Sequence, residues 1–526
     1  MSSNQEMKEV ENASLYCEDE KVQETEDTDN QDDEDDLYEA EGEEDYGEEE
    51  EVEEEKKEGE TTKHFTLYPV NLDAIGPSKK FPRNWLKTLL HKNNQLETNI
   101  YMKYNQNDPI MRDKALVVAP MVDQSDLPFR LLCRKYGSNL CFTPMIHARL
   151  FIEKQIYRDK FWDYENKVGE LDRPLVAQFC SSDIPSLVQA AYSIQHQVDA
   201  IDLNCGCPQN IAKRGNYGAF LLEEPHKLIP IVRALSGILD IPITVKVRIL
   251  PSGLKDSLNL YQQIIDAGAS MLTIHGRNRF QKGQETGKAD WNAIRTVVEK
   301  YSEQIPILAN GSIQDITCVR KCLVETQADG VMTSEAILEY PALFTGFYYN
   351  QDIVPESDTP TTFTSPPPEE EKRKSFYEKD DDKIHKSPAR AIGRLQLAQE
   401  FLDMCRMYPP HHGGQGTGFK CMRVHLHRFL HCDLQDSQEL RTKLTRSDTF
   451  EELQHIIDCV RSTHEQKEHI VKEEQPSWYV RHRVKSTNDP NKTKSRVAWE
   501  KTKIVKCVEL DEETGQCIAG MFGDDW

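Results

Sequence analysis

Residues 241–276 read IPITVKVRILPSGLKDSLNLYQQIIDAGASMLTIHG. Ile243–Val247 and Met271–Ile274 are short apolar runs with β-branched residues, and Leu258–Ala267 between them is apolar at helical spacing. A strand, a helix and a second strand in this order imply parallel strands buried on both faces.

The unit recurs along the chain. Ala115–Ala119, Leu140–Thr143, Leu175–Phe179, Ala200–Leu203, Pro306–Ala309 and Gly330–Thr333 are further runs, which makes eight, with starts 24 to 43 residues apart. Helical patterns fill the intervals at Ile184–Gln195, Pro225–Leu239, Trp291–Tyr301 and Asp315–Glu325. Eight strand–helix units within residues 114–345 predict an α/β fold, a (β/α)8 TIM barrel. An open doubly wound sheet is the alternative. It would carry a Gly-rich GxGxxG turn after its first strand, where this chain has Ala119-Pro120-Met121-Val122-Asp123.

The flanks differ in composition. The 526 residues carry a formal charge of −25, yet residues 1–60 alone hold 29 acids against four lysines. The remaining residues are balanced, so the acidity belongs to a tail and does not argue against a nucleic-acid partner. We expect residues 1–62 to be a disordered acidic tail and 63–113 an N-terminal extension with one helix near Arg83–His91. After the barrel come a linker at 346–388, a small all-α domain at 389–462 and a polar tail at 463–526. The tail has a basic stretch, Arg481–Lys506, with nine Lys/Arg against two acids. In the all-α part, helices are expected over Ile392–Cys405 and Phe419–His431, and from Asp448 with Glu451 at capping-box spacing. No apolar run approaches a membrane span, and the start of the chain is too polar for a signal peptide. The 14 cysteines are scattered without a zinc-like CxxC pair, which implies free thiols and no metal.

A barrel gathers its chemistry at the C-terminal ends of its strands. Here those ends hold Pro120-Met121, Thr143-Pro144-Met145, Gln178, Asn204-Cys205-Gly206-Cys207-Pro208, Lys246 with Arg248, His275-Gly276-Arg277, Asn310-Gly311-Ser312 and Ser334-Glu335. Lysine is poorly suited to a central strand, so Lys246 reads as functional. The turns after the seventh and eighth strands are where barrels hold a phosphate. A buried cation beside them suits a phosphorylated redox cofactor such as flavin mononucleotide, although spacing alone leaves a pyridoxal cofactor open. Cys205 and Cys207 are two ligands without a partner pair, too few for a metal site. Lys213, Arg214, Arg277, Arg279 and Lys282 read as loop cations above the rim, and Lys420, Arg423 and His427 share one face of the second α-domain helix.

These residues resemble the dihydrouridine synthase family. The resemblance rests on Ala119-Pro120-Met121, Gln178, Asn204-Cys205-Gly206-Cys207-Pro208, Lys246-Val247-Arg248, His275-Gly276-Arg277 and Asn310-Gly311. Pro120–Arg130, Gly206–Phe220 and Lys282–Trp291 are most similar to the eukaryotic subfamily acting on positions 16 and 17 of the tRNA D-loop. The resemblance is strong over Lys114–Phe344 and loose over the helical part. It implies an FMN-bound barrel, NADPH as reductant, tRNA as substrate and a tRNA-binding helical domain, and we further expect no membrane, a monomer and a cytoplasmic or nuclear location.

Carried onto this chain, Pro120, Met121, Val122, Gln178, Lys246 and His275 would line the flavin. Asn310, Gly311, Ser312, Ser334 and Glu335 would lie toward its phosphate. Asn204, Lys213, Arg214, Arg277 and Arg279 would meet the substrate. Cys207 would be the general acid that protonates uracil C5, since an ordinary thiol, with pKa about 8.5, keeps its proton near neutrality. The wider family has Gly-Arg where this chain has Ser334-Glu335, and a carboxylate beside a phosphate is unfavourable. Two other functions are weighed against this one. A flavin barrel reducing a small pyrimidine would need neither the helical domain nor the loop cations. A non-catalytic RNA-binding relative would have no use for intact Cys207, Lys246 and His275. Removing the chain after Asp380 is expected to spoil tRNA reduction and to spare flavin binding.

Overall fold

Among the described residues nine strands are seen: β1 (Ala115–Val118), β2 (Leu140–Phe142), β3 (Ile146–His147), β4 (Leu175–Cys180), β5 (Ala200–Cys205), β6 (Ile243–Arg248), β7 (Met271–His275), β8 (Ile307–Asn310) and β9 (Gly330–Thr333). The structure is a computed structural model that describes residues 67–466, apart from 68–69, 73–74, 93–98, 164–168, 170, 283–285, 346–392, 411–416 and 436. The expected acidic tail, the 346–388 linker and the Arg481–Lys506 stretch lie outside the described residues.

Every described pairing is parallel, and the order β2-β1-β9-β8-β7-β6-β5-β4 closes through a β2–β4 pairing. The (β/α)8 barrel expected from the repeat is therefore present, with the two-residue β3 as an addition beside β4. Helices Ile184–Ile194, Pro225–Ile238, Leu254–Asp266, Trp291–Tyr301 and Ile316–Thr326 surround it. Several start on an aspartate that accepts a backbone N–H, as Asp183 does from Ser186, Asp290 from Ala293 and Asp315 from Cys318.

Two apolar layers follow from the alternation of strand side chains. Outward residues such as Leu203, Cys205, Val245, Val247 and Ile274 pack under the helices. Inward ones, including Val117, Leu140, Val176, Leu308 and Met332, fill the lower barrel together with Trp85, Leu86 and Leu90. The helix Trp85–Lys92 thus plugs the N-terminal end, where Trp85 Nε1 donates to the Ser270 carbonyl at 2.8 Å. With its floor sealed, the barrel offers chemistry only at its other mouth.

Downstream, helices Arg394–Met407, Thr417–Phe429, His431–Gln435, Gln438–Arg446 and Phe450–Gln466 form the helical part. It packs on the barrel helix Leu127–Lys135, with His425 stacked on Phe129 at 4.6 Å between ring centroids. The last helix is capped one residue away from the expected pair. Glu452 accepts from the N–H groups of Asp448 and Thr449, and Thr449 Oγ1 accepts from Glu452 N.

Candidate active site

Alternate residues of a strand share a face, so Asp202 and Asn204, Thr244, Lys246 and Arg248, and Thr273 and His275 all turn inward. They form a polar layer above the apolar barrel floor. Gln178 is buried at its centre. Its Nε2 donates to Asp202 Oδ2 at 2.8 Å, and its Oε1 accepts from Asn204 Nδ2 at 3.0 Å. Thr244 Oγ1 donates to the other oxygen of Asp202 at 2.5 Å. Burial pushes the Asp202 carboxyl up to about 6, against the pull of these two hydrogen bonds and of Lys246.

Just past β5 the chain turns through Gly206 and Cys207. Asn204 Oδ1 accepts from both backbone N–H groups at 3.0 Å, and Arg248 Nε donates to the Gly206 carbonyl at 2.7 Å. The Cys207 carbonyl accepts from Ala219 N at 2.9 Å. That contact needs Gly218, whose φ is +64° and whose Cβ would stand 2.6 Å from the same carbonyl oxygen. The Cys207 thiol is half-buried, 3.7 Å from Gln209 Oε1. Cys205 points the other way. Its side chain is fully buried in the outer core, where desolvation drives the thiol pKa well up.

Three cations meet at this mouth. Lys246 is lowered to about 8, chiefly by burial and then by Arg248, with Asp202 and Cys207 opposing. Arg248 is lowered to about 10 by burial and then by Arg277. Burial lowers Arg277 to about 10 as well, and Glu335 opposes that fall in both arginines. Glu335 thus stands beside cations, which meets the electrostatic objection to a carboxylate here. Arg277 lies in the turn after β7, as expected, but it is not a solvated cation. It is buried, its guanidinium donates to the Gly287 carbonyl at 2.6 and 3.1 Å, and Nη1 lies 3.1 Å from His275 Nε2. A guanidinium only donates, so Nε2 of His275 is the acceptor and Nδ1 carries the proton.

The turn after β8 is tight. Gly311 has φ +106°, and a Cβ there would lie 2.8 Å from Ala289 Cβ and 2.9 Å from the His275 ring. Ser312 follows at φ +58°, its Oγ accepting from Ala289 N at 2.7 Å. Asn310 is buried and donates to the Met332 carbonyl at 2.9 Å, tying β8 to β9. Ser334 precedes the helix Glu335–Glu339. After β1, the Ser125 hydroxyl closes the Met121 turn by accepting from Met121 N and donating to Met121 O. Pro120 and Met121 are half-buried in that turn, and Val122 is 49% exposed.

The remaining expected cations divide. Lys213 and Arg214 are exposed on the short helix Asn210–Arg214. Arg279 is paired with Glu223 and stacked over Phe280, 4.3 Å from the ring centroid. In the helical part Lys420 is exposed. Arg423 pairs with Asp448, and His427 is buried and lowered to about 4 by desolvation and then by Arg423 and Arg441. Asp202 is a part of the mouth that the strand-end reading did not name, and Arg248, which it did name, was given no role. The available signal was their spacing of two from Asn204 and Lys246, which puts them on the same inward face. Among the described residues, no cluster of three or more His, Cys, Asp or Glu could hold a metal ion.

A closed parallel barrel whose mouth brings Lys246, Arg248 and Arg277 together with the half-buried Cys207 thiol defines a (β/α)8 protein with its polar groups gathered at the strand ends. The family described as dihydrouridine synthase (Dus) matches residues 117–461, and the chain belongs to that family. It is 38% identical over 335 residues to a mouse protein named tRNA-dihydrouridine(16/17) synthase-like, a match covering 64% of this chain and 59% of the relative. Identity reaches 43% over 228 residues with the Saccharomyces cerevisiae tRNA-dihydrouridine(16/17) synthase, covering 43% of this chain and 53% of that one. A human tRNA-dihydrouridine(20a/20b) synthase-like protein is 35% identical over 234 residues, covering 44% of this chain and 71% of the relative. The chain thus spans less than two thirds of the mouse and yeast relatives it matches.

Proposed function

We propose that this protein is a flavin-dependent tRNA-dihydrouridine synthase. In this reading it reduces the C5=C6 bond of uridines in the tRNA D-loop, at positions 16 and 17, with FMN bound and NADPH as reductant. The observation that carries the proposal is the meeting of Cys207, Gln178, Lys246 and His275 at one barrel mouth in a chain of this family. The subfamily is supported by the names of the mouse and yeast relatives.

The residues fit the cofactor. Lys246, Arg248 and Arg277 depress one another or lose charge stability through burial, so an anion among them lowers the energy of the mouth. Gly311, where any Cβ would strike Ala289 and the His275 ring, lets that ring pack directly against the backbone of the turn. Gln178, Lys246 and His275 would hold the ring system, with Met121 and Val122 along one side. Gly311, Ser312, Arg277 and Ser334 would face the phosphate. When bound, the flavin supplies hydride to uracil C6.

The chain's own part is the proton. As negative charge gathers on the uracil, Cys207 gives its proton to C5, and Lys246 and Arg248 beside it stabilise the thiolate left behind. Its turn holds the thiol in place through Asn204 and Arg248. Exposed Lys213, Arg214 and Lys420 would contact phosphates of the tRNA, whose target base must leave its stack to reach the mouth. The test is the absorbance spectrum of the purified full chain, followed by assay on tRNA lacking dihydrouridine. We expect a flavin spectrum and NADPH-dependent dihydrouridine. A colourless protein that still reduces tRNA would end the flavin assignment.

A further inference from the structure

Asp202 takes no part in the chemistry above, yet it ends a continuous line of hydrogen bonds that starts at the thiol-bearing turn. The N–H groups of Gly206 and Cys207 can only donate, so the Asn204 atom 3.0 Å from each is Oδ1. Asn204 Nδ2 then faces Gln178, and the Gln178 atom 3.0 Å away is Oε1. That leaves Gln178 Nε2 facing residue 202 at 2.8 Å, where only an acceptor satisfies it. The carboxylate accepts there and also from Thr244. Starting instead from Asp202, which only accepts, gives the same order, so both ends impose one orientation on the two amides.

We infer that Asp202 is a positioning residue: through the paired amides of Gln178 and Asn204 it fixes how Asn204 pins the Gly206–Cys207 turn, and so where the Cys207 thiol sits. The position argues for this role. Asp202 is fully buried, and an apolar side chain would fill a barrel interior at lower cost than a carboxylate. The raised carboxyl pKa is the mark of that cost. The effect on catalysis rests on the role proposed for Cys207, while the hydrogen-bonded line does not.

The test inverts the line. Asn204→Asp still accepts from Gly206 and Cys207 but offers Gln178 no donor, and the Gln178 amide is caught between two carboxylates. Adding Asp202→Asn supplies a donor at the far end. Gln178 can then turn over with every partner satisfied, and the new amide at 202 still accepts from Thr244. The readout is iodoacetamide alkylation of Cys207 in the purified full chain, resolved by peptide mass spectrometry. Asn204→Asp should alkylate faster, on the order of tenfold for one lost buried hydrogen bond. The double variant should return close to the wild-type rate, and dihydrouridine formation should recover in the same order. A double variant as reactive as Asn204→Asp overturns the proposal, as does an unchanged rate in Asn204→Asp. If alkylation follows the expected order while the wild type makes no dihydrouridine, the line stands and the functional reading falls. If neither variant folds, hydrogen exchange in the wild type decides. Gly206 and Cys207 amides exchanging at open-loop rates refute the pinning, and protection matching that of β5 supports it.

Discussion

At the scale of single residues, Cys207 carries the sharpest consequence. Cys207→Ala should slow dihydrouridine formation by about 10²–10⁴-fold, the usual worth of a positioned acid. Cofactor reduction by NADPH should stay near normal, because that step needs no proton at uracil C5. Single-turnover assays beside stopped-flow reduction separate the two. Cys205→Ala removes a sulfur from the packed outer layer, so it should cost about 1 kcal/mol of stability and leave turnover intact. Lys246 gives a pH dependence. Its pKa of about 8 lies below the ordinary 10.5, and a bound anion raises it back. Binding therefore takes up a proton once the pH exceeds about 8, so flavin affinity is highest below that pH and falls as pH rises through it. Lys246→Met should weaken binding and abolish the slope, as read by flavin fluorescence quenching from pH 6.5 to 9.5, a range taken around that value. Cys207, Lys246 and Gln178 were legible in the sequence because each is chemically out of place on a buried strand or at its end. The burial of Arg277 was not legible, because a charge flanked by Gly276 and Asn278 reads as solvated, and only the fold reveals the Gly287 carbonyl to which its guanidinium donates.

Among the elements, the eight barrel strands were readable because parallel strands buried on both faces are almost wholly apolar. The helices between them were readable from one-sided apolar spacing. The helical part was harder. Gln438–Arg446 buries only Leu444 among its residues, so no apolar stripe announces it. The cap of the last helix was displaced by one because Asp448 and Thr449 are both good capping residues, and hydroxyl geometry at Thr449 decides between them. The turn after β8 is the element on which ligand binding most depends. Gly311→Ala would force a left-handed φ on a residue with Cβ and drive that Cβ into His275 and Ala289. A strain of about 1–3 kcal/mol follows. Relieving it displaces the His275 ring, so flavin affinity should fall by about tenfold or more, each 1.4 kcal/mol being worth a factor of ten. Equilibrium dialysis of variant and wild type checks this. Unchanged affinity would mean that the turn does not face the cofactor.

For the whole molecule, the structure changes the expected division of labour. The sequence presents the helical part as a separable grip on RNA, so its removal should spare flavin binding. Its contacts show that it also braces the mouth. Cys421 Sγ donates to Asp126, and Arg428 Nη1 donates to Gln124 Oε1 at 2.7 Å, which holds the turn after β1 from outside. Arg394 pairs with Glu339, at the far end of the helix that begins with Glu335, and donates to the carbonyl of Arg428. The two neighbouring turns at β1 and β9 are therefore both anchored in the helical part. Both Arg394 and Glu339 are buried, so removing one partner leaves an uncompensated charge. Arg394→Ala should cost about 3–5 kcal/mol in urea unfolding, whereas replacing both partners, Arg394→Met with Glu339→Leu, should recover much of it. Because the pair anchors the helix that starts at the mouth, Arg394→Ala should also weaken flavin binding in the full chain, and the double variant should restore it. A stability loss with flavin affinity unchanged would return the helical part to the role of RNA grip alone. A matched loss of both would mean that cofactor and tRNA sites are built on one mechanical unit, in which the barrel supplies the chemistry and the helices hold its mouth in shape.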